Sequence, residues 1–156
     1  MKTASIHELK NELSNVPANE LLELCLRLAK FKKENKELLT FLLFEAHDLE
    51  SYISVVKAYM DEEFISLPAT LYLVKKVLRK ILRTVNKYIK YSGDKQVETE
   101  LLIYFCSKVK QAHIALDKST VLNNLFEQQL KKIDKAINSM HEDLQYDFRR
   151  LLKASV

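Results

Sequence analysis

One glycine, Gly93, and two prolines, Pro17 and Pro68, are all the punctuation that this chain of 156 residues contains. Sheet-rich folds turn often, and their turns draw on glycine for positive φ and on proline for a fixed one. A chain so poor in both reads as long helices joined by few corners, and the helix formers Leu, Lys, Glu and Ala dominate its composition. An apolar share of 47% is ample for a packed core and excludes a disordered chain. The length suits one domain. The expectation is therefore a single all-α domain over residues 1–156, a bundle or compact array of six to seven helices with a long C-terminal helix.

The pattern along the chain places the elements. Ser5 with Glu8 forms a capping-box signature ahead of Ile6, Leu9 and Leu13, and Pro17 suits the first turn of a second helix with a broad leucine face. KKENKE, residues 32–37, is a charged corner or solvated turn. The segment Leu38–Phe44 is apolar almost all round and is expected to be a central, buried helix. Asp48 can cap the next helix, with DEE at 61–63 and Pro68 marking its end. A basic helix over about 70–91 ends at SGDK, residues 92–95, the clearest turn in the chain. A sixth helix spans about 96–116. Leu122, Phe126, Leu130, Ile133, Ile137, Met140, Leu144, Phe148 and Leu151 then step by three or four, near-heptad spacing that predicts a rod of roughly 45 Å with a bend near Ser139. Such a helix either serves as a core or also makes a dimer seam, so self-association through it is one expectation. No internal repeat, low-complexity segment or domain-splitting linker is present.

The stretch VPANELLELCLRLAKFKKENKELLTFLLFEAHD, residues 16–48, resembles the N-terminal part of a group of small, uncharacterised, all-helical bacterial proteins. The resemblance implies a bacterial cytoplasmic protein. It brings no activity and no functional residue with it.

A cytoplasmic setting also follows from the residues. MKTASIHELK has no apolar signal core. The longest uncharged run, Phe64–Val74, is far short of the roughly 20 residues that span a bilayer. Cys25 and Cys106 lie within apolar helical runs and are expected to be buried, reduced thiols outside any disulfide framework.

No catalytic motif emerges. Metal sites in helical bundles use Glu-x-x-His pairs, so that both ligands share one helix face. None of His7, His47, His113 and His141 has an acid three residues before it, and HExxH is absent. His141-Glu142-Asp143 and His47-Asp48 are neighbours in sequence, but adjacent side chains diverge on a helix. The Arg-then-His spacing of some small helical ribonucleases is missing before every histidine. Apolar surroundings raise rather than lower a thiol pKa, so neither cysteine reads as a nucleophile. A phosphate loop would need several glycines. The sequence thus implies no enzyme, no metal and no cofactor.

One charge feature stands out. The net charge is +4, but the thirty residues from Phe64 to Gly93 hold seven bases and no acid. The rest of the chain has 18 bases against 21 acids. On a helical wheel Lys75, Lys76, Arg79, Lys80, Arg83, Lys87 and Lys90 fall within about 140°, with Tyr72 in the same arc and an apolar face opposite. An ordinary solvated face mixes signs, because i,i+4 acid–base pairs add a little stability. Three accounts compete. In the first, acids on neighbouring helices answer the arc: Asp61, Glu62, Glu63, Glu98, Glu100 or the C-terminal helix. In the second, the arc binds an acidic partner protein or nucleic acid. In the third, the helix lies on an anionic membrane, an account that spends on lipid the apolar face that the core needs. The functional expectation is a non-enzymatic protein-interaction or scaffolding module, the alternative a nucleic-acid-binding protein that uses this arc.

Overall fold

The computed structural model describes all residues, 1–156, and contains eight α-helices, one or two more than the spacing predicts, and no strand. They are α1 (Ile6–Ser14), α2 (Ala18–Phe31), α3 (Lys33–Thr40), α4 (Leu49–Ile65), α5 (Leu71–Ser92), α6 (Lys95–Gln111), α7 (Thr120–Asn138) and α8 (Glu142–Ser155). A π-helical turn, Phe41–Glu45, follows α3, and a 3-10 turn, Leu116–Lys118, precedes α7. The chain divides into two compact units, residues 1–44 and 45–156.

Within residues 45–156, α6 is the centre. Leu101, Leu102 and Ile103 are consecutive and all buried, as are Phe105, Cys106 and Val109, so cover reaches the helix from every side. α4, α5, α7 and α8 supply that cover. Phe64 of α4 meets Phe105 edge to face, with ring centroids 6.0 Å apart. Polar ties hold the same layers in register. The Tyr52 hydroxyl donates to the Tyr88 carbonyl at 2.9 Å, joining α4 to α5. Lys57 pairs with Glu100 at 2.6 Å, joining α4 to α6. The Asp61 carboxylate accepts from the Tyr104 hydroxyl at 2.7 Å and pairs with Lys108 at 2.8 Å. The Lys108 hydrogen bond, with help from Tyr104, holds the Asp61 carboxyl below its usual pKa. Burial, then the neighbouring carboxylate, pushes the Tyr104 phenol up to about 12.

Within residues 1–44 far less is buried. α1 begins with the expected capping box, Ser5 and Glu8 each bonding back to the other. α2 packs along α3, separated by an extended Lys32, and the Asn35 amide donates to the Leu28 carbonyl at 2.8 Å to close the end of α2. None of these three helices has a buried residue.

Three expectations are corrected here. Leu38–Phe44 is not a buried central helix. Phe41 is 4% exposed, but Leu42, Leu43 and Phe44 are 57%, 62% and 66% exposed. A segment that is apolar all round needs cover on all sides, and α3 lies along α2 alone within its unit. Cys25 is exposed for the same reason, while Cys106 is buried, and burial pushes its thiol up to about 12. Finally, the C-terminal rod is two helices. Ser139 caps α7, its hydroxyl donating to the Ala136 carbonyl at 2.7 Å, and His141 is extended before α8 starts on Glu142 and Asp143. A serine hydroxyl that bonds back to the backbone competes with the helix. The break lets α8 turn back against α6 and α7, with Arg149 bonded to Asp134 at 3.3 Å. Leu122, Phe126, Ile133 and Ile137 are buried within the chain.

Candidate polyanion-binding face

α5 is built as its sequence demands. Val74, Leu78, Ile81, Leu82, Val85 and Ile89 form its buried side. Gly93 closes it at φ +62°, a left-handed conformation that costs other residues about 1 kcal/mol. The helix holds no acid, and its buried side fixes where the opposite arc must face.

All seven cations lie on that outer arc. Lys76, Arg79, Lys80, Arg83 and Lys90 are exposed, and Lys75 and Lys87 are half-buried. Tyr72 is 61% exposed in the middle of the arc. The Lys75 and Lys76 ammonium groups lie 5.0 and 4.6 Å from the centre of its ring. Lys87 lies 5.4 Å from the Tyr88 ring.

Three of the neighbouring acids are committed elsewhere. Asp61 is held by Lys108 and Tyr104 of α6, Glu100 by Lys57, and Glu98 by Lys95 at 2.6 Å. Asp134 of α7 turns to Arg149. Glu63 does pair with the arc, at 2.6 Å from Lys80, which raises the lysine pKa. Lys80 stands at the edge of the arc, so this pair leaves the middle uncompensated. Lys75, Lys76, Arg79, Arg83 and Lys90 have no carboxylate within ion-pairing distance. The stripe from Lys76 to Lys90 is about 21 Å long at 1.5 Å per residue.

The arc can attract and align anions but offers no general base and no nucleophile. The histidines do not join it: His7 contacts Asn11 at 3.3 Å, and His141 lies 3.7 Å from Asp143. No three His, Cys, Asp or Glu side chains converge on one point. No helix is long and apolar enough to cross a membrane. Sequence reasoning found all seven cations. It could not foresee that Asp61, Glu98 and Glu100 have nearer partners, because that depends on which face α6 turns to α4.

The chain matches no protein-family model, no curated protein and no solved structure.

Proposed function

We propose that this chain is a non-enzymatic interaction module whose α5 face takes a nucleic-acid strand. The observation that carries the reading is the uncompensated arc: five cations without an acid partner, while Asp61, Glu98 and Glu100 are engaged by other lysines. A face that forgoes cheap i,i+4 pairing accepts lysine–lysine repulsion, and an external polyanion removes that repulsion. Tyr72 favours nucleic acid over an acidic protein. Its exposed ring offers a base a surface to stack on, while Lys75, Lys76 and Arg79 reach the adjoining phosphates.

The test is fluorescence anisotropy of a labelled single-stranded oligonucleotide across a series of salt concentrations. Neutralising five phosphates gives a log–log salt slope of roughly −3.5 for a single strand. Arg79→Glu with Arg83→Glu should abolish binding and flatten the slope, and Tyr72→Ala should weaken it by roughly 5- to 150-fold, the range for one lost stack. Binding that survives the double charge reversal overturns the reading. Binding that is lost on charge reversal but indifferent to Tyr72→Ala favours an acidic protein surface instead.

A further inference from the structure

α2 carries a second charge pattern, and it is self-complementary. Glu20, Glu23, Arg27 and Lys30 are spaced by three, four and three residues, which puts them within about 80° on one stripe. Together they line one shallow concavity with Leu24 and Leu26. The acids occupy the N-terminal half and the bases the C-terminal half, and none of the four makes an ion pair within the chain.

Reversing α2 about Cys25 sets Glu20 opposite Lys30 and Glu23 opposite Arg27. The same reversal exchanges Leu24 with Leu26, the leucines on either flank of the stripe, so apolar positions fall on apolar positions. We propose that α2 pairs antiparallel with the α2 of a second copy of this chain, on a two-fold axis level with Cys25 and on the charged side of the helix, opposite the Cys25 side chain. A two-fold interface requires one surface patch to complement itself, and a foreign partner would impose no such palindrome. The register is specified as well. An axis beside residue 23 sets Glu23 against its own copy, an axis beside residue 27 does the same to Arg27, and a parallel pair stacks acid on acid.

The apolar side of the argument agrees. α3 covers α2 around Ala29, and the flank next to the charged stripe stays open, with Leu28 61% and Phe31 84% exposed. A unit of 44 residues is at the size where a chain needs help to build a core, and a second copy is the simplest source. Two α2–α3 hairpins placed side by side form a four-helix arrangement with charge pairs along its edge.

The acid-then-base order of α2 also suits the helix macrodipole, and the experiment separates the two causes. Light scattering and sedimentation of the full chain should show a dimer. Glu20→Lys with Glu23→Lys should make it monomeric, and so should Arg27→Glu with Lys30→Glu. Mixing the two variants should restore a dimer containing one copy of each. The fourfold exchange should dimerise on its own, although it opposes the macrodipole. Circular dichroism on each variant checks that the helices persist. A wild-type chain that stays monomeric at all concentrations overturns the proposal and leaves the face to residues 45–156 or to a foreign partner. So does a dimer that withstands both reversals, or a mixture of the two variants that stays monomeric.

Discussion

LLIYFC, residues 101–106, and LLTFLLF, residues 38–44, are near twins in composition, and they meet opposite fates. The first lies at the middle of α6, with five of its six side chains buried under four other helices. The second runs from α3 into the π-helical turn, and Phe41 alone is buried. All-round apolar character measures how much cover a segment needs. What it receives depends on how many amphipathic faces the rest of the chain turns towards it. α4, α5 and α7 each spend an apolar stripe on α6, whereas α3 has α2 for a neighbour and little else in its unit.

The largest test of this contrast is Phe105→Ala. Phe105 is fully buried and packs on Phe64. Truncating a buried aromatic loses its transfer energy and leaves a cavity, so chemical denaturation should show a loss of about 3–5 kcal/mol. A loss below about 1.5 kcal/mol would mean that α6 is no better covered than the outer run, and the comparison would fail.

The two cysteines give the next largest effect. A thiol reagent should modify Cys25 in the native chain and reach Cys106 only on unfolding, since Cys25 is exposed and Cys106 is buried. Burial also pushes the Cys106 thiol up to about 12. Below about pH 8.5 that thiol keeps its proton in both the folded and the unfolded chain, so its contribution to stability is fully present. Above that pH the unfolded chain gives up a proton that the folded chain retains, and stability falls as pH rises towards 12, by up to about 1.4 kcal/mol per pH unit. Denaturation midpoints measured at successive alkaline pH values should fall more steeply for the wild type than for Cys106→Ala. Equal slopes for the two chains would show that burial at 106 does not extend to solution.

Helix ends were the most legible part of this molecule, because caps are local. Ser5 with Glu8, Asp48 and Gly93 each mark a helix end where the residues alone placed one. The two faces of α5 were legible for the same reason, since a wheel needs only the spacing. Three features were hidden because they are relations between elements. The stepped apolar positions from Leu122 to Leu151 continue through Ser139 without a gap, so the residues placed a bend there but not a full break with the chain folding back. The acids near α5 were visible, but their choice of Lys57, Lys95 and Lys108 follows from packing. His113 takes a φ of +50° at the end of α6, a place where glycine would be expected, so no turn residue marked it. The α2 palindrome is a different case. Every residue of it was readable, but periodicity is counted in one direction, and the symmetry shows when the helix is read from both ends.

The smallest expected effect carries the comparison to the outer run itself. Leu43 is 62% exposed, beside the exposed Leu42 and Phe44. Replacing it by glutamine removes little that is buried and leaves no cavity, so the stability of the chain should change by no more than about 0.5 kcal/mol. A contiguous apolar patch also binds hydrophobic dyes, and that binding should fall in the Leu43→Gln chain while its denaturation midpoint holds. The two readouts move independently only if the side chain lies open. A loss above about 1.5 kcal/mol would place Leu43 under cover in solution, and residues 38–44 would then resemble 101–106 in fate as well as in composition.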